Sequence, residues 1–159
     1  NEILQTAEQK HLRIATAESC TGGALAALLT DVEGFSHVFE RGFVVYSEAA
    51  KTDCLGVRSY AIAAHGAVSR PVAEAMARGA LDRSRADVAI AITGNAGPAA
   101  PDDEPGLVFL CAAARDGRLQ IQECHFGNID RSQVRIRAIE TALQMLSLSI
   151  DSTPAKATK

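Results

Sequence analysis

The stretch LRIATAESCTGGALAALL, residues 12–29, decides how the chain folds. Leu12 to Ala17 is an apolar run too short for a helix and bounded by polar residues, which predicts a strand. The Ala- and Leu-rich part ending at Leu29 predicts a helix. Between them, Glu18-Ser19-Cys20-Thr21-Gly22-Gly23 must turn the chain sharply, and its two glycines allow a tight turn that opens straight into the helix N-terminus.

The rest of the chain repeats this alternation. Ile3 to His11 has the spacing of an amphipathic helix, Phe39 to Ser47 reads as a second strand, and Ser47 to Leu55 as a helix ended by Gly56. Ser69, with Pro71 just behind it, predicts the cap and first turn of a helix running to about Ser84. Asp87 to Thr93 is almost wholly apolar, as a strand covered on both faces should be, and it breaks at Gly94-Asn95-Ala96-Gly97-Pro98. Leu107 to Ala114 and Leu119 to Phe126 flank Arg115-Asp116-Gly117-Arg118, where Asp-Gly signals an antiparallel hairpin. A last helix is expected from Arg131 to about Leu148, then a polar tail over residues 151–159. Helices alternating with strands in this order predict one α/β domain over residues 1–150, a three-layer α/β/α sandwich with a mixed, mostly parallel sheet. Ligands of such sheets sit at the carboxyl ends of the strands, so the turns after Ala17, Val45 and Ile92 are expected to converge.

Composition narrows the function. The 159 residues are 47% hydrophobic and 22% charged, with no Trp, which suits an aliphatic core of helices on a sheet. A formal net charge of −3 gives no electrostatic reason to expect nucleic acid or an anionic membrane as partner. No apolar run approaches the roughly 20 residues of a membrane span, and NEILQTAEQK has neither a basic nor an apolar leader region, so a cytoplasmic protein is expected. Cys20, Cys54, Cys111 and Cys124 lack metal or disulfide spacing, and His11, His37, His65 and His125 are scattered, so neither a metal nor a cofactor is assigned.

Four residues carry the candidate chemistry. Ser19 sits on the sharp bend, where a hydroxyl is either a helix cap or an exposed nucleophile. Lys51 is the only lysine between residues 11 and 155, where every other fixed cation is arginine. Lysine can lose its proton in a cleft and arginine cannot, so Lys51 is either a general base for Ser19 or a solvated surface residue. Tyr46 ends the second strand five residues earlier and could pass a proton, orient the lysine or simply plug the strand end. Thr93 ends the third strand at the glycine turn, where its hydroxyl could orient a substrate amide. Glu18, Cys20, Thr21, Gly22 and Gly23 in the first turn, and Gly94, Asn95 and Ala96 in the third, are candidate substrate contacts. The helix start after the first turn, with its N–H groups and dipole, suits a phosphate or an oxyanion. Arg131, Arg135 and Arg137 open the last helix, and Arg131 or Arg135 could hold a phosphate through its planar fork.

The same segments carry a resemblance. Thr16 to Gly23, Phe39-Glu40-Arg41-Gly42 through Tyr46-Ser47 to Lys51, Leu55-Gly56-Val57, His65-Gly66-Ala67-Val68-Ser69 and Thr93 to Pro98 together resemble the CinA C-terminal domain family, over roughly residues 1–150. The resemblance implies an amidohydrolase acting on a small molecule, nicotinamide mononucleotide, and releasing ammonia. It implies Ser19 as nucleophile, Lys51 and Tyr46 assisting proton transfer, Thr93 in the site, no metal, and a homo-oligomer. Members usually continue the third turn as T-G-I-A-G-P, whereas Asn95, Ala99 and Ala100 intrude here and Glu104 precedes Pro105-Gly106. Ile129 also stands where a glycine usually precedes Asp130-Arg131. Two other readings stay open: a nucleotide-binding module without turnover, and Cys20 as nucleophile with Ser19 as cap.

Overall fold

The computed structural model describes residues 1–97 and 103–157; Pro98, Ala99 and Ala100, named above, fall outside the described residues. The elements run α1 (Glu2–Gln9), β1 (Ile14–Glu18), α2 (Ala24–Thr30), β2 (Phe39–Val44), α3 (Glu48–Leu55), α4 (Ser59–His65), α5 (Arg70–Asp82), β3 (Val88–Gly94), β4 (Leu107–Ala114), β5 (Leu119–His125) and α6 (Arg131–Ser152). The sheet order is β2-β1-β3-β4-β5. β1 pairs in parallel with β2 and β3, and the β3/β4 and β4/β5 pairs are antiparallel, so β4 alone opposes the other strands. This is the expected mixed, mostly parallel sheet.

The strand sequences place the two helical layers. Ile14, Val88, Ile90 and Ile92 face one side, against α1, α2 and α6, while Ala15, Ala17, Ala89, Ala91 and Ala113 face the other, against α3, α4 and α5. Large residues on one face and alanines on the other let α5 lie close to the sheet. The same alternation, continued past the end of β1, turns Glu18 toward α2 and Ser19 toward α3.

Close packing also fixes α3. Gly79 of α5 lies so near α3 that a Cβ there would stand 2.1 Å from the Leu55 carbonyl oxygen, a contact only glycine permits. Gly79→Ala is therefore expected to destabilise the fold by roughly 1–3 kcal/mol or more, because backbone cannot yield as a side chain can. Urea denaturation checks this; an unchanged midpoint would show that α3 moves without cost.

Several elements differ from expectation, among them α1, which ends at Gln9, and β2, which ends at Val44 and leaves Tyr46 beyond it. β1 begins at Ile14, since Leu12 donates its N–H to Ala7 O in the turn closing α1. α4 was not singled out in the sequence, because its N-cap is Arg58 and no side chain caps it. α6 runs on to Ser152, where Pro154 forces the preceding Thr153 into an extended conformation (ψ 128°) and stops the helix. The residues beyond are tied back: Lys156 donates its N–H to Lys10 O, and its ammonium lies 2.6 Å from Asp87.

Candidate active site

Ser47 caps α3 by accepting a hydrogen bond from Ala50 N at 3.1 Å, and this sets the phase of the helix. Lys51 and Leu55, four residues apart, then share the buried face. The Lys51 side chain reaches the end of β1, where Nζ donates to Ser19 Oγ and to the Val45 carbonyl, both at 3.0 Å. Lys51 is only 2% exposed and Ser19 8%. Burial is the largest influence on the lysine and lowers its pKa from the usual 10.5, against a smaller opposing pull from Cys20 and Glu48. A desolvated amine with two partners at a strand end differs from the solvated surface lysine that the sequence left open.

The first turn has a different internal arrangement from the one expected. Gly22 and Gly23 adopt positive φ of 63° and 92°, and Gly22 N and Ala24 N are bonded within the turn. Glu18, expected among the substrate contacts, is fully buried, and its carboxylate accepts the N–H groups of Gly23, Leu25 and Ala26 at 3.1, 3.1 and 2.8 Å. The anion at the start of α2 is thus part of the protein itself, and the expected phosphate position there is filled. No hydrogen bond between described residues uses the N–H of Cys20 or Thr21, the two donors that follow Ser19. Burial pushes the Cys20 thiol up to about 11, so it is a poor nucleophile at neutral pH.

Residues of the third turn serve mainly to hold it. Thr93, 1% exposed, donates its hydroxyl proton to the Ala67 carbonyl at 2.8 Å and so fastens the loop between α4 and α5 to the end of β3, which leaves the oxygen able to accept. Asn95 bonds Leu107 and Gly106 through its backbone and Glu104 O through its side chain, closing the base of the loop. Ala96 is buried in the core on the α6 side. A Cβ on Gly94 would meet Val108 at 2.7 Å. The carbonyls of Val45 and Ala67 are acceptors that sequence reasoning misses, because main-chain acceptors leave no mark on residue type.

α6 contributes from the other layer. Arg135 Nη2 donates to Thr21 O at 2.8 Å, and Arg131 Nη2 donates to the Tyr46 hydroxyl at 3.0 Å. Gly97 comes close as well, since a Cβ on it would stand 3.3 Å from Arg131 Nη1. The turns after β1, β2 and β3 therefore do converge, with the buried serine–lysine pair on the α3 side and the two arginines on the α6 side. Among the described residues no group of His, Cys, Asp and Glu could hold a metal ion, and no helix is long and apolar enough to cross a membrane.

Comparisons with known proteins agree with this architecture. The family model described as the CinA C-terminal domain matches residues 1–150. The chain is 46% identical over 156 residues to the Escherichia coli nicotinamide-nucleotide amidohydrolase PncC, covering 92% of this chain and 93% of that protein. It is 53% identical over 136 residues to a CinA-like protein of Mycolicibacterium gilvum, covering 84% of this chain but 32% of that longer protein. The crystal structure of competence/damage inducible protein CihA from Agrobacterium tumefaciens superposes with a TM-score of 0.85 at 42% identity, covering 96% of this chain and 97% of that one. With the match spanning nearly the whole fold and every turn that forms the site, this chain belongs to the CinA C-terminal domain family.

Proposed function

We propose that the chain is an amidohydrolase that converts nicotinamide mononucleotide and water to nicotinate mononucleotide and ammonia, with Ser19 as nucleophile and Lys51 as its base. The observation that carries this reading is the buried Lys51 Nζ, 3.0 Å from Ser19 Oγ. The similarity to PncC over 92% of the chain supports the substrate.

In this mechanism the neutral amine of Lys51 takes the hydroxyl proton as Ser19 Oγ bonds to the carboxamide carbon. The N–H groups of Cys20 and Thr21 receive the resulting oxyanion, where one donor is typically worth about 100- to 1,000-fold in rate. The C–N bond then breaks, and the leaving nitrogen takes the proton back from Lys51 and departs as ammonia. Water attacks the acyl-serine, gives a proton to Lys51, and releases the acid as Ser19 Oγ is reprotonated. Val45 O holds the amine in line through both halves. The Tyr46 hydroxyl is bonded to Arg131 and to neither Ser19 nor Lys51, so the scheme moves protons through Lys51. Arg131 and Arg135, which reach the turns after β1 and β2 from α6, are the cations assigned to the substrate's phosphate. Net charge supports a small molecule rather than nucleic acid as partner, and the family resemblance supports a cytoplasmic homo-oligomer.

Ammonia release from nicotinamide mononucleotide by the purified protein is the direct test. Tight nucleotide binding with no ammonia would instead favour a binding module and end the hydrolase reading.

A further inference from the structure

Tyr46, a candidate catalytic residue, has its hydroxyl on Arg131 and not on the lysine. It follows Val45 just beyond β2, and burial alternates along these residues, Val44 and Tyr46 being exposed and Val45 buried. Val45 is fully buried in the core on the α3 side, with its carbonyl on Lys51, and Tyr46 is 62% exposed. Its hydroxyl accepts from Arg131 Nη2 at 3.0 Å, and no hydrogen bond links it to Ser19 or Lys51.

The arrangement defines Arg131 more than it defines Tyr46. The guanidinium spans from the Tyr46 hydroxyl, after β2, to the backbone at Gly97, after β3, where the missing Cβ leaves it room. A solvent-exposed arginine otherwise keeps rotamer entropy that it must give up to present its planar fork to a phosphate. The phenol reduces that loss by holding the fork in advance. Because the phenol accepts from Arg131, its own proton is left to donate to a phosphate oxygen beside it.

We infer that Tyr46 is a positioning residue that aims Arg131 at the substrate's phosphate, and so makes the site prefer a nucleotide over the corresponding nucleoside. This rests on the mononucleotide reading above. Tyr46→Phe keeps the ring and removes only the hydroxyl. Losing one such hydrogen bond should lower the preference for nicotinamide mononucleotide over nicotinamide riboside, measured as the ratio of kcat/KM values, by about 3- to 10-fold. The change should lie in KM for the mononucleotide. In an Arg131→Ala background the same substitution should leave that ratio where Arg131→Ala put it, because the phenol then has nothing to aim.

Calorimetric titration of both compounds into Ser19→Ala and into Ser19→Ala with Tyr46→Phe reads the same preference without turnover. It separates the two proposals: a protein that releases no ammonia but loses phosphate preference with Tyr46→Phe keeps this inference and loses the hydrolase. A fall of 100-fold or more in kcat on both compounds, with KM unmoved, would mean that the phenol carries a proton and would overturn the inference, as would an undiminished phosphate preference in Tyr46→Phe.

Discussion

Ser19→Ala is expected to lower kcat for ammonia release by about four to six orders of magnitude, the range seen when the nucleophile of an acyl-transfer site is removed. Removing Oγ takes away both the attacking atom and the proton that Lys51 would accept, so no weaker version of the same route remains. Substrate affinity should change little, because the proposed phosphate contacts come from α6 and the oxyanion donors are main-chain N–H groups that alanine retains. Steady-state kinetics with a coupled ammonia assay read the loss, and calorimetry reads the binding. Activity within tenfold of the unaltered protein would remove Ser19 from the chemistry and return the bland reading, a hydroxyl at a helix start. The turn itself does not need that hydroxyl: the start of α2 is already satisfied by the Glu18 carboxylate. The variant should therefore fold with its stability nearly intact.

The serine and the lysine were legible in the sequence for reasons that survive folding. A bend with two glycines exposes whatever precedes it, and one lysine among arginines is a chemical choice visible in composition alone. The helical layers were legible too, since a run such as Val88-Ala89-Ile90-Ala91-Ile92 already alternates large and small. The bonds of Glu18 leave no such mark, because they run to main-chain donors five, seven and eight residues ahead, and a cap at that range has no fixed spacing to recognise. Thr93 is a related case. Its partner is a carbonyl 26 residues earlier in the chain, brought near by the packing of the α4–α5 loop on the sheet. Tyr46 lies five residues before Lys51 in sequence, yet it is exposed where Val45 is buried and its hydroxyl pairs with Arg131. In each case residue type indicated what a group could do, and tertiary packing decided what it faced.

Lys51→Met is expected to lower kcat/KM by about 10²- to 10⁴-fold, the usual worth of a positioned general base. Methionine fills the same volume without the amine. Lys51→Arg should be as inactive, because guanidinium keeps its proton at any working pH. The pH dependence identifies the cause. Burial lowers the Lys51 pKa below 10.5, and the neutral amine is the working form, so activity of the unaltered protein should rise with pH through that lowered value. Lys51→Met should lack this rise. Stability follows the same proton with a definite sign. Between the lowered folded pKa and 10.5 the unfolded chain binds more protons at this residue than the native state does, so the contribution of Lys51 to stability climbs as pH rises through that window. Below the window the cost of burying the charge is present in full. The stability advantage of Lys51→Met over the lysine protein should accordingly shrink with rising pH, whatever its sign at neutrality, since the lost hydrogen bonds to Ser19 and Val45 add an offset that does not titrate there. Denaturation at stepped pH measures that difference. A constant difference would mean that the lysine is not desolvated, and an amine in contact with water near pH 7 would stay charged and could not take the proton from Ser19.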